Sequence, residues 1–140
     1  MWIIYALLSA FFAALVAIFA KLGLKEVDTT LATTIRALIM AAFLVAVALT
    51  LKKFDGFNFE MLSGREWLLI ALSGIAGAIS WLFYFAAIKY GIVSGAAAID
   101  RLSIVFVVFL AALFVGETLG WQAILGSILI AGGAMLIVFQ

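Results

Sequence analysis

Two adjacent opposite charges, Asp100 and Arg101, interrupt a long apolar stretch of the sequence. Small residues precede them at 94–98, and the following residues 102–116 carry no charge. A charge inside a membrane span costs roughly 2.5–3.5 kcal/mol on insertion scales, so a span that keeps one generally uses it for a partner, an ion or a substrate. The pair therefore predicts a charge-pairing or substrate site within a membrane helix. For Asp100 a proton-carrying role, a substrate contact and a salt bridge all stay open.

Two further cations lie in or at the end of apolar stretches, Arg36 in the second and Lys21 at the end of the first. If successive spans alternate in direction, Arg36 and Asp100 lie at the same depth, about 8–9 Å below one interface. We therefore predict an Arg36–Asp100 ion pair or a shared substrate site, with a purely structural pair as the alternative. Neighbouring residues on a helix do not share a face, so Arg101 must point elsewhere. Lys21 is either a snorkelling anchor or a cavity-facing cation.

Aromatic side chains in the third apolar stretch are candidates for a substrate-cavity wall. Trp81, Tyr84 and Phe85 follow each other at helical spacing and share a broad face. Trp81 lies in the middle of the stretch, away from the interfacial belt where tryptophan normally concentrates. The pattern predicts either an aromatic cavity wall, to which Ser80 and Ser103 would add hydroxyl groups, or ordinary packing.

Small residues at helical spacing predict close approach between helices. Gly126 and Gly133 are seven residues apart and lie near one face, which packs either within the chain or between two chains. The glycines predicted to pack helices are Gly74, Gly77, Gly95, Gly126 and Gly133.

The composition defines the class of protein. Of the 140 residues, 69% are hydrophobic and 11% are charged, whereas soluble domains average about 45–50% apolar and about 25% charged residues. The chain is therefore predicted to be an integral protein of the cell membrane. A net charge of +1 gives no basic field for nucleic acid. Without cysteine or histidine, no catalytic or metal-binding constellation is predicted, and no cofactor is expected.

The hydropathy pattern predicts an all-α fold in one domain, residues 1–140. About 20 apolar residues cross the hydrocarbon core as a helix, and an N-terminus without a positive segment is expected to be a retained span rather than a signal peptide. Asp28 is a candidate N-cap for the second helix, and the linker 52–66 is expected to lie in the membrane interface. The predicted spans are about 2–21, 31–51, 67–88, 94–115 and 120–139.

The loop charges give no preference for one orientation, because each side of the membrane carries three cationic residues under the positive-inside rule. Five spans are an odd number, so a two-fold axis in the membrane plane would pair opposite orientations, as in inverted-repeat transporters. We therefore predict dual topology and an antiparallel homodimer of ten helices. The cations are Lys52, Lys53 and Arg65 on one side and Lys21, Lys25 and Lys89 on the other.

Several motifs in residues 81–136 resemble the EamA domain of the drug/metabolite transporter superfamily. They are the aromatic run at 84–88, the small-residue entry at 94–98, the Gly116-Glu117 pair, and Gln122 with Gly126 and Gly133; Arg36 also resembles an arginine of that family. The resemblance implies a five-helix repeat unit. Most members join two inverted units in one chain and export metabolites or drugs by alternating access, and this chain resembles the half-size members. It has Ile99-Asp100-Arg101 where larger relatives commonly have proline, so a proline-centred bend does not carry over.

The sequence favours a secondary transporter or exporter of small metabolites or drugs. The third and fourth spans are expected to form the wall of its cavity. The two cations and one carboxylate favour zwitterionic or anionic solutes. The alternative is a non-transporting scaffold or regulatory subunit of another membrane protein. Enzymes and ion channels are disfavoured because neither a catalytic constellation nor a filter motif is found.

Overall fold

In the computed structural model, which describes residues 2–58 and 61–139, all regular elements of the described chain are helices. Five helices are long and apolar enough to cross a membrane, which confirms the all-helical fold and the number of spans. The elements are α1 (Trp2–Gly23), α2 (Thr29–Thr50), α3 (Gly64–Tyr90), α4 (Val93–Asp100), α5 (Ser103–Leu110), a π-helical turn (Ala111–Val115) and α6 (Trp121–Val138).

The fourth span, Val93–Val115, matches the predicted stretch 94–115, but it is not one continuous α-helix. Arg101 and Leu102 separate α4 from α5, with ψ angles of −13° and −18° that are typical of a tighter 3₁₀ turn. The Leu102 amide donates to the Ile99 carbonyl three residues back, at 2.9 Å. The break therefore falls directly after Asp100, and it forms without a proline.

The fourth span ends at a glycine for a conformational reason. Gly116 has a φ of 80° and a ψ of 20°, in the left-handed region, and its amide donates to the Ala111 carbonyl at the end of the π-helical turn. A side chain at this φ is strained, whereas glycine is not. The Gly116-Glu117 pair noted in the sequence therefore terminates the helix and turns the chain toward α6.

The chain divides into two compact units. In the unit formed by α1 and the chain from Ala87 onward, small residues fill the helix contacts, as expected when packing in a membrane relies on close approach. A Cβ atom added to Gly95 would lie 2.9 Å from Ile92 Cγ1 and 4.0 Å from Val138 Cγ2, so α4 and α6 approach closely there. The buried small residues are Ala17 and Ala20 in α1, Gly95 and Ala98 in α4, and Ser127 and Ala134 in α6.

The other predicted packing glycines have a different environment. Within their own units, no described atom lies within 4 Å of a Cβ built on Gly74, Gly77, Gly126 or Gly133. A packing role for these four glycines, within the chain or between two chains for Gly126 and Gly133, stays a prediction.

The second unit, Leu24–Ala86, contains α2 and most of α3. The Asp28 carboxylate accepts hydrogen bonds from the amides of Thr30 and Leu31, both at 2.9 Å, which confirms it as the N-cap of α2. At the start of α3, the Glu66 carboxylate accepts from the Ser63 amide at 2.7 Å, and Ser63 Oγ accepts from the Glu66 amide at 3.3 Å. This capping box fixes where α3 begins after the linker.

Candidate functional site

A cavity of about 490 Å³ lies within one unit, between α2 and α3, and we call it the α2–α3 groove. Its walls are mainly small and apolar, and Arg36 is its one charged lining residue. The groove is lined by Thr33, Thr34, Arg36, Ala37, Met40, Ala41 and Leu44 of α2 and by Ser73, Gly74, Gly77, Ala78, Trp81 and Leu82 of α3.

The Arg36 guanidinium lies over the face of Trp81, with 3.7 Å between its Cζ atom and the ring centroid. It also lies 5.5 Å from the ring centroid of Phe85. A cation over an aromatic face is attracted by about 0.5–1 kcal/mol at exposed sites and about 2 kcal/mol or more when water is removed. This contact holds Arg36 on α3 across the groove, although it neutralises none of the positive charge.

Edge-to-face packing fixes the orientation of the Trp81 ring. Its centroid lies 5.6 Å from that of Tyr84, at an interplanar angle of 80°, and 5.7 Å from that of Phe85, at 83°. These are favoured geometries for aromatic pairs. The predicted aromatic face therefore exists, and it supports the arginine of α2.

Within its unit, Arg36 forms ring contacts and has neither a hydrogen bond nor an ion pair with the described residues. It lies seven residues into α2, or about 10 Å along the helix at 1.5 Å per residue, somewhat deeper than the sequence indicated. A guanidinium carries five N–H donors and stays protonated in proteins. Arg36 thus brings a positive charge with unused donors into an apolar groove, which suits an anionic partner.

The hydroxyl groups near Arg36 are committed to the helix backbone. Thr33 Oγ1 donates to the Thr29 carbonyl at 2.7 Å, and Thr34 Oγ1 donates to the Thr30 carbonyl at 2.8 Å. Each hydroxyl has a single proton, so only its lone pairs are left for a bound molecule. Near Arg36 the α2 side of the groove therefore offers one donor group, the guanidinium.

Lys21 ties the end of α1 to the end of α3. Its Nζ donates to the carbonyls of Ile88 at 2.7 Å and Gly91 at 2.8 Å, with a longer contact of 3.4 Å to that of Lys89. The last carbonyls of a helix have no partner inside the helix and carry partial negative charge, so a cation is favourable there. Lys21 is thus bound to the backbone of the α3–α4 turn, an arrangement that neither sequence-based alternative described.

The remaining sequence candidates lie outside the α2–α3 groove. Asp100 is half-buried at the end of α4, whereas Arg101 is exposed. Ser80 and Ser103 are exposed. Because Asp100 and Arg36 belong to different units, their pairing stays a prediction.

Sequence reasoning missed the contribution of α2 to the groove beyond Arg36. Thr33 and Met40 stand three residues before and four residues after Arg36, the spacing at which side chains share a helix face. This spacing indicates that the three residues share one face of α2. Because small and apolar residues occur on every face of a membrane helix, the spacing alone did not identify that face as part of a groove.

With five helices in the described chain that are long and apolar enough to cross a membrane, the protein is an integral, multi-pass membrane protein. Residues 1–139 match the EamA-like transporter family, and the chain belongs to that family. It is 41% identical over 136 residues, 97% of this chain and 95% of the relative, to a Sinorhizobium protein described as an uncharacterized transporter in the cobO 3' region. No solved structure matches the chain.

Removing the Lys21 ammonium is expected to destabilise the protein. Lys21→Met keeps the length of the side chain but leaves the carbonyls of Ile88 and Gly91 without their donor, and hydrogen bonds to charged groups contribute about 1.5–3 kcal/mol. We expect a lower thermal unfolding temperature in detergent micelles. Lys25→Met, in the exposed α1–α2 loop, is the control. Equal unfolding temperatures for the two variants would show that the Lys21 contacts contribute no stability.

Proposed function

We propose that this protein is a secondary transporter that moves a small solute across the membrane by alternating access, with the α2–α3 groove as its binding site. The observation that carries the proposal is the Arg36 guanidinium, stacked on Trp81 at 3.7 Å within a groove of about 490 Å³. Keeping a charge in a span is costly, and the Trp81 contact alone does not offset that cost. Membership of a transporter family supports the same function.

We propose further that two copies of the chain pair in opposite orientations. Three features support this arrangement: one five-helix unit per chain, an odd number of spans, and loop cations divided three against three. Inverted repeats of known transporters place the substrate near the midplane at the repeat interface. In such a dimer the small residues on α6 around Gly126 and Gly133 are a suitable contact face.

Filling the α2–α3 groove is expected to stop transport without unfolding the protein. A Cβ added at Gly77 meets no described atom within 4 Å, so Gly77→Leu has room, and replacing a helical glycine favours the helix. A similar enlargement one residue earlier, Ala76→Leu, changes a residue outside the groove lining and is the control. The measurement is uptake of radiolabelled benzoate, phenylalanine and tetraphenylphosphonium into proteoliposomes. Equal uptake by Gly77→Leu and wild type would exclude the groove as the transport site.

Lysine substitutions that fix the orientation of the chain in the membrane are expected to give two complementary forms, one for each orientation. Phe54→Lys with Asp55→Lys adds positive charge to one side, and Glu26→Lys with Tyr90→Lys adds it to the other; all four positions are exposed. Under the positive-inside rule each pair selects one orientation. Each form alone should transport poorly, and co-expression should restore transport.

Orientation is read from labelling of a single engineered cysteine, since the chain has none of its own. Full transport by one form that is shown to insert in a single orientation would contradict the antiparallel dimer.

We also propose that Arg36 and Asp100 form an ion pair when no substrate is bound. Each lies seven residues into its own helix, from Thr29 to Arg36 and from Val93 to Asp100. The test is a double-mutant cycle of Arg36→Gln and Asp100→Asn on thermal stability. Residues in contact show coupling energies of about 0.5–3 kcal/mol, whereas distant residues are additive within about 0.3–0.5 kcal/mol. Additive effects would show that the two residues do not pair in the unliganded protein.

A further inference from the structure

We infer that the α2–α3 groove selects small organic monoanions, namely carboxylates with an apolar body. The carboxylate binds the N–H edge of Arg36, and the apolar body lies along the small-residue walls toward Leu44 and Ser73. The inference rests on the proposed function for the movement of the solute, whereas the binding itself is testable without transport.

The preference for a negatively charged solute follows from the residues that line the groove. Arg36 is its one charged residue, and no described carboxylate lines the groove. The Cζ atom of Arg36 lies 3.7 Å from the Trp81 ring centroid, and the N–H groups of a guanidinium all lie in its own plane. This planar fork matches the two oxygens of a carboxylate. A lipophilic cation would meet a like charge in a medium where charges are poorly screened.

The preference for a solute with one negative charge follows from the hydroxyl groups that line the groove. The protons of Thr33 and Thr34 are donated to backbone carbonyls, so neither hydroxyl is a donor for an anion. Ser73 lies eight residues before Trp81, which is about 12 Å along α3. The second charge of a dianion would therefore have no second cation in the groove, because the other possible donors, the indole N–H of Trp81 and the Ser73 hydroxyl, are neutral. Burying an unpaired charge is strongly unfavourable, so the groove favours one negative charge per solute.

The shape and polarity of the body follow from the walls. Beyond Arg36 the walls are formed by Ala37 and Ala41 on α2 and by Gly74, Gly77 and Ala78 on α3. Short side chains leave the volume of about 490 Å³ empty, and small-molecule sites span about 300–1,000 Å³. The groove thus has room for an aromatic or branched aliphatic body, and its apolar walls favour such a body over a sugar-like one.

The binding test uses purified protein in detergent with benzoate, the uncharged benzamide of similar shape, and tetraphenylphosphonium. Benzoate is expected to raise the unfolding temperature and to bind by calorimetry, with benzamide and tetraphenylphosphonium much weaker. Because a hydrogen bond to a charged group contributes about 1.5–3 kcal/mol, Arg36→Gln is expected to weaken benzoate binding about 10- to 100-fold. Arg36→Lys, which keeps the charge but loses the fork, should fall between the two.

Two controls keep the test specific for the groove. Arg65→Gln removes an arginine from the first turn of α3, outside the groove lining, and should bind benzoate like wild type. Gly77→Leu should abolish benzoate binding and Ala76→Leu should not, which shows that folding and binding are separable.

The inference is overturned if benzoate binds Arg36→Gln as tightly as wild type, if tetraphenylphosphonium binds more tightly than benzoate, or if benzoate gives no effect up to about 10 mM. Failure of the proposed function gives a different pattern. Arg36-dependent benzoate binding without proteoliposome uptake would leave this inference standing and reject transport. Uptake of tetraphenylphosphonium but not of benzoate by the wild-type protein would support transport and reject the anion site.

Discussion

Inside a lipid bilayer, neither a backbone carbonyl nor a charged side chain can form hydrogen bonds with water. Most of the local structure of this protein provides other partners for these groups. Within a helix the backbone satisfies itself, so the difficulty concentrates at the helix ends. At the end of α3, Lys21 donates to the carbonyls of Ile88 and Gly91. At the start of α2, Asp28 accepts from two amides. Lys21 thus links the end of the first span to the end of the third, and Asp28 caps the start of the second.

The charge of Arg36 is only partly satisfied by its surroundings within the unit. The Trp81 ring stabilises the cation from one face, and the T-shaped contacts of Tyr84 and Phe85 hold that ring in place. Within the unit, none of the described residues supplies the negative charge that would complete the environment. A groove that is apolar, roomy and positively charged at one point is a poor structural element, and this contrast is the physical basis of the proposal that it binds a solute.

The break between α4 and α5 changes the backbone hydrogen bonding within a span. At Arg101 and Leu102 the bonds pass from a four-residue to a three-residue spacing, as in a 3₁₀ turn. Discontinuous helices in transporters are tolerated where they line a cavity, and here the discontinuity follows a half-buried carboxylate, Asp100. The two features together make the fourth span a second region of functional interest, in a different unit from Arg36.

The sequence by itself determined the membrane class, the five spans, the N-cap at Asp28 and the chemical interest of Arg36 and Trp81, because hydropathy, capping and the cost of a buried charge are local properties. Only the tertiary structure decided that Arg36 stacks on Trp81, that α2 forms one wall of the groove, and that Lys21 binds the end of α3. These contacts join residues between 45 and 70 positions apart, and in a chain where nearly every helix face is apolar, no local pattern indicates which faces meet. The break after Asp100 was also decided by the fold, because without a proline the sequence carries no local signal for interrupting a helix at that position.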